Sequence, residues 1–123
     1  MIVGLDIGYS NLKFAIGAAD QPRPALVHCL PSGAGPIDSL PEKIGGERQV
    51  PDGGVVVSVG NGQEWVAGIE PYRIQDTGRE LHRNYIRTTA YRALLHAALS
   101  FVEGDRVSQL VTGLPVTQRA DRE

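Results

Sequence analysis

The segment IVGLDIGYSNLKFAIG, residues 2–17, commits the chain to its first piece of structure. Residues 2–5 are almost wholly apolar, the pattern of a buried strand. Leu12, Phe14 and Ile16 alternate with Lys13 and Ala15, the period of a strand with one covered face. Between the two runs lies a short polar centre, Asp6-Ile7-Gly8-Tyr9-Ser10-Asn11. Strands so close in sequence pair antiparallel across a tight turn. Residues 18–24, with Asp20, Pro22 and Pro24, read as a second turn, and residues 25–30 as a third strand. The expected opening is a three-stranded antiparallel meander.

The rest of the chain points to an α/β fold. Residues 31–54 show no sustained period, and their Gly, Pro and Ser content reads as irregular or inserted. Residues 55–59 are β-branched and strand-like. Asn61-Gly62 is a strong hairpin turn signal, with residues 64–67 as the returning strand. We expect residues 31–77 to form a small inserted β subdomain, with residues 1–30 and 78–123 making the main sheet and helix. From Thr88 to Glu103 the period changes. Tyr91, Leu94, Leu95, Ala98, Leu99 and Val102 form one face of an amphipathic helix. Thr88 or Thr89 would cap its start, and Gly104 would stand at its C-terminal turn. Residues 110–114 read as a short buried strand ended by Pro115. A helix before such a strand implies a crossover and a parallel pairing.

At 123 residues the chain is long enough for one domain with a modest core. Its net charge of −2 argues against direct contact with nucleic acid or anionic lipid. No apolar run approaches the roughly 20 residues that span a bilayer. Asp6 interrupts the N-terminal apolar stretch, so no signal peptide is expected. Cys29 is the single cysteine and has no internal partner. Together these features point to the cytoplasm.

The polar centre carries the chemistry. A phosphate site needs closely approachable backbone N–H groups, small polar side chains and a cation. Gly8 allows close approach, Ser10 and Asn11 offer side-chain partners, and Lys13 offers the charge. Asp6 could hold Mg²⁺, directly or through its water shell. The pattern is not GxxxxGK[ST], so this is not a Walker A loop. On the residues alone an ordinary hairpin is the favoured reading, with Lys13 solvated and Asp6 a turn former.

The run Asp6-Ile7-Gly8-Tyr9-Ser10-Asn11-Leu12-Lys13 resembles the first phosphate motif of the actin, heat-shock chaperone and sugar-kinase superfamily, broadly DxGxTNxK. Within it the chain looks most like the bacterial plasmid-segregation actins, the ParM/StbA-like family. Residues 59–74, VGNGQEWVAGIEPYRI, are similar to that family's small-subdomain hairpin. Residues 88–123 look like its helix, strand and Leu-Pro turn, with LVTGLPV at the expected separation. The resemblance implies the N-terminal half of an actin-like ATPase domain of ribonuclease H-like fold. It implies ATP or GTP with Mg²⁺ as cofactors. Asp6 would organise the Mg²⁺ hydration shell. Gly8, Ser10 and Asn11 would contact the β- and γ-phosphates, and Lys13 would neutralise their charge. Tyr9 departs from the small residue usual there but would keep its backbone contact. As partners the resemblance implies self-association into filaments and an adaptor protein that links them to DNA.

The family's site also needs a second phosphate loop, an adenosine pocket and a residue that positions the attacking water. None is visible in this sequence. The expectation is therefore an N-terminal fragment, with catalytic residues beyond Glu123. Two other readings stay open: a sugar- or pantothenate-type kinase of the same superfamily, and a truncated binding module without activity.

Other residues read as structural. His28, His82 and His96 share no metal-like spacing, and His28 and Cys29 should face opposite sides of a strand. Cys29 is expected to be small and buried. Trp65 and Tyr72 are expected in a local core, with an assembly surface as the alternative. Arg79, Arg83, Arg87 and Arg92, interleaved with Tyr85 and Tyr91 and accompanied by Glu80, read as a solvated approach to the helix.

Overall fold

The computed structural model describes residues 1–74, 84–104 and 106–113. Among these, the first sheet has the order β3-β2-β1-β7. Its strands are β1 (Ile2–Ile7), β2 (Asn11–Gly17), β3 (Leu26–Pro31) and, late in the chain, β7 (Gln109–Thr112). β1 pairs antiparallel with β2, and β2 with β3. On its other side β1 pairs parallel with β7, Val3 opposite Leu110 and Leu5 opposite Thr112. A second sheet has the order β4-β6-β5. Its strands are β4 (Gly33–Pro36), β5 (Val55–Ser58) and β6 (Glu64–Ile69). The fold is α/β, with one α-helix, α1 (Thr89–Leu99), and three short 3-10 turns among the described residues.

Alternation decides which way the first sheet faces. Val3, Leu5 and Ile7 on β1 and Leu12, Phe14 and Ile16 on β2 are all buried. They share one core with Ala93, Leu94, Ala97 and Ala98 of α1 and with Ala34, Val57 and Ala67 of the second sheet. The helix touches strands of both sheets, and its alanines let the backbones come close. His96 adds a polar link, its Nδ1 lying 3.0 Å from the Ser58 carbonyl oxygen. A smaller core of Leu40, Val66, Ile69 and Ile74 lies under the second sheet.

The local signals explain the ends of the elements. Thr88 caps α1: its Oγ accepts from the Tyr91 amide at 3.2 Å and donates to the Tyr85 carbonyl at 2.6 Å. At the far end the amides of Phe101 and Val102 donate to Ala98 and Leu99. These i to i−3 bonds tighten the last turn. The helix therefore stops at Leu99 rather than Glu103, and Gly104, with φ +99°, lies beyond it. Asn61 and Gly62 take positive φ, 54° and 70°, in the turn between β5 and β6.

Several expectations need correction. β1 runs to Ile7 instead of Leu5, so Asp6, expected at the strand's end, is its penultimate residue. β4 was not expected; a side chain at Gly33 would run into the Ile69 carbonyl oxygen, which is why glycine occupies a strand there. β7 is exposed along its length, with Leu110 44% and Val111 53% accessible; among the described residues it is an edge strand that pairs with β1 alone. Cys29 is exposed, not buried, since it pairs with Lys13 on the open face of the sheet. Tyr72 is 79% exposed and stands beside the Arg73 guanidinium, while Trp65 does pack against the core. Residues Arg79, Glu80, His82, Arg83, Leu114 and Pro115, and the expected boundary at residues 77–78, lie outside the described residues. Among the described residues no helix is long and apolar enough to cross a membrane.

Leu94 is fully buried where α1 meets the shared core. Leu94→Ala should destabilise the fold by about 2–5 kcal/mol, read from the urea unfolding midpoint. A loss below about 1 kcal/mol would mean that α1 does not pack as described.

Candidate functional site

The loop at residues 8–10 joins β1 to β2 and is closed by the Gly8 amide, which donates to the Asn11 carbonyl at 2.9 Å. Its carbonyl oxygens are held from outside the hairpin. Gly8 O accepts from the Tyr85 hydroxyl at 3.3 Å. Tyr9 O accepts from Ser32 Oγ at 2.6 Å. Ser10 O accepts from the Ser32 amide at 3.2 Å.

These bonds aim the amides. The peptide unit is planar and trans, so its N–H points opposite to its C=O, and the chain has no cis peptide among the described residues. Holding Gly8 O and Tyr9 O turns the amides of Tyr9 and Ser10 the other way. Neither amide has an acceptor among the described residues. Ser10 and Asn11 are exposed, and their side chains make no hydrogen bond there. Successive outward N–H groups form a concavity suited to an anion.

Asp6 and Lys13 stand directly opposite one another on β1 and β2. Lys13 Nζ lies 3.9 Å from an Asp6 carboxylate oxygen, with the two side chains 59% and 61% exposed. Beside them, on the open sheet face, is a shallow depression of about 490 Å³ whose lining includes Gly4, Ala15, Val27 and Val111. The Gly113 amide donates to Leu5 O at 3.3 Å, so the end of β7 lies next to Asp6. The site thus lies where two parallel strands end at their carboxyl side, a common place for ligands in α/β sheets.

The structure brings all the expected residues, Asp6, Gly8, Tyr9, Ser10, Asn11 and Lys13, to one end of the hairpin. As for metal, no group of three His, Cys, Asp or Glu side chains converges among the described residues. A single exposed carboxylate fits a hydrated Mg²⁺ held through water rather than a protein cage. Sequence reasoning missed Ser32 and Tyr85, which set the loop. Both bonds span long separations, 23 and 77 residues, and leave no local pattern.

Tyr9 lies with its ring 4.9 Å from that of Tyr85, and Tyr85 meets Tyr91 edge-on at 5.4 Å. Burial pushes the Tyr91 phenol above its ordinary value; a hydrogen bond with Thr112 opposes the rise and the Asp6 carboxylate adds to it. A phenol raised on folding contributes stability that is complete below the unfolded value, about 10, and is lost as pH rises through the folded value. Tyr91→Phe should therefore flatten the alkaline fall in stability, read as thermal midpoints from neutral pH upward. An unchanged slope would remove Tyr91 from that fall.

Searches among curated proteins and among solved structures gave no significant match. A family profile described as the N-terminal domain of actin-like proteins matches residues 4–123. The chain belongs to this family of actin-like protein N-terminal domains.

Proposed function

We propose that this chain is the N-terminal part of an actin-like ATPase of the ParM/StbA-like kind, acting in the cytoplasm. It binds ATP or GTP with Mg²⁺ and assembles into nucleotide-dependent filaments that segregate plasmid DNA. The observation that carries the nucleotide reading is the loop at residues 8–10. Its carbonyls are tied back while the amides of Tyr9 and Ser10 lack acceptors among the described residues. An ordinary hairpin turn does not need that arrangement. Membership of the actin-like family supports the filament reading.

Phosphoryl transfer depends mainly on positioning and on stabilising charge around the γ-phosphate. Here the Tyr9 and Ser10 amides would receive phosphate oxygens. Ser10 and Asn11 would add side-chain bonds, and Lys13 would neutralise charge. Asp6 would hold the water shell of Mg²⁺, and the ion when bound would supply neutralisation of phosphate charge. Gly8 lets the phosphates come close to the backbone. None of these residues would activate the attacking water. The DNA link runs through an adaptor, in keeping with a net charge of −2.

Three outcomes are expected. The natural full-length product should pellet with Mg-ATP or Mg-GTP and not without nucleotide; absence of nucleotide-dependent pelleting across salts and concentrations would refute the filament reading. Asp6→Ala should abolish Mg-dependent nucleotide binding by that product, and unchanged affinity would sink the role of Asp6. The 123 residues alone should neither hydrolyse ATP nor bind it tightly, because they supply one side of a cleft. Measurable turnover would overturn this.

A further inference from the structure

Among the described residues Ser32 is the one polar residue that is buried, at 9% exposure. It sits between β3, which ends at Pro31, and β4, which begins at Gly33. The chain passes there from the first sheet to the second. Both donors of Ser32 go to the same loop, Oγ to Tyr9 O at 2.6 Å and the amide to Ser10 O at 3.2 Å. Its position is closely set. A side chain on the next residue, Gly33, would meet the Ile69 carbonyl and lie 2.9 Å from Pro71 N. Ser32 is thus pinned by the packing of β4 against β6 and the turn after it.

We propose that Ser32 is a positioning residue for the phosphate groups of the nucleotide, an inference that rests on the phosphate-binding reading of the loop. The Ser32 hydroxyl holds the peptide between Tyr9 and Ser10 with its carbonyl inward, and planarity then holds the Ser10 N–H outward. Without the hydroxyl the Tyr9 carbonyl loses its partner in a half-buried place. Rotation of that peptide would give the carbonyl access to water and turn the Ser10 N–H away from the ligand. An outward carbonyl would also repel phosphate oxygen. Ser32 touches no ligand itself; it acts through the peptide it holds.

The test uses the natural full-length product carrying Ser32→Ala, titrated with Mg-ATP and, separately, with AMP. The expected result is a loss of about tenfold in Mg-ATP affinity, the size of one hydrogen bond, with AMP affinity unchanged. In the wild type, Mg-ATP should slow hydrogen exchange at the Tyr9 and Ser10 amides, and Ser32→Ala should lose that protection at Ser10. Ser32→Cys has nearly the same volume but a weak donor. It should show the same loss and serves if the alanine variant does not fold. Unchanged Mg-ATP affinity in a folded variant would overturn the proposal. So would equal losses for Mg-ATP and AMP, which would mark a purely structural role. If the wild type binds neither Mg-ATP nor inorganic triphosphate, the phosphate reading itself falls, and the proposal with it.

Discussion

The contact of two strand faces with one helix positions everything else in this molecule. Val3, Leu5 and Ile7 alternate on β1, and Leu12, Phe14 and Ile16 alternate on β2, each 6% exposed or less. They share a core with Leu94 and three alanines of α1. A slip of one residue in either strand would turn all of its apolar side chains to the open face. The register is therefore fixed at Ile7 opposite Leu12, and the chain must reverse within residues 8–10. The polar residues are displayed at the end of the sheet because the apolar ones cannot move. Asp6 and Lys13 follow from the same register, since the positions between the buried ones face outward as a pair.

That dependence explains what could be read in the sequence. Period-2 alternation, the Asn61-Gly62 turn and the Thr88 cap are local signals with local causes, and each has its counterpart in the structure. β4 had no such signal. Its residues Gly33, Ala34, Gly35 and Pro36 look like a loop, and the reason for Gly33 is the nearness of Ile69 and Pro71, far away in sequence. β7 failed in the opposite sense. Leu110 and Val111 have the composition of a buried strand, but composition cannot report whether a covering layer is present. Cys29 and Tyr72 are exposed although their residue types suit a core, for the same reason. The site divides along the same line. The residues proposed to face a ligand were legible because they lie within eight successive positions, Asp6 to Lys13. Ser32 and Tyr85, which hold them in place, were not, because their bonds cross the fold.

Tyr9 shows how a bulky residue fits a loop that must stay open. Its ring leans on Tyr85, which in turn meets Tyr91 at the start of α1. Such aromatic pairs are worth about 0.5–1.5 kcal/mol beyond the area they bury. The side chain is therefore drawn toward the helix rather than over the amides. Tyr85 takes part twice, packing at a tilt against the ring of Tyr9 and donating to the carbonyl of Gly8. It also supplies the carbonyl to which the capping hydroxyl of Thr88 donates. Loop and helix start are joined through this one residue, so a shift of either would be felt by the other.

The charged pair beside the loop is open to solvent rather than enclosed. Asp6 and Lys13 are separated by 3.9 Å and are both more than half exposed, and a pair of this kind contributes only about 0–1 kcal/mol. Parting them is correspondingly cheap. Had they been buried and tightly paired, separation would leave a charge without a partner at a cost of about 3–5 kcal/mol, and binding would have to overcome it. In the geometry observed, Lys13 could turn to a phosphate and Asp6 to the water shell of a cation with little opposition. The carbonyls held by Ser32 and Tyr85 are the reverse case: they are fixed before any ligand arrives, so little ordering is left for binding to bring about. The hairpin thus joins rigid amides to loosely held charges, and an anion accompanied by a metal ion has use for both.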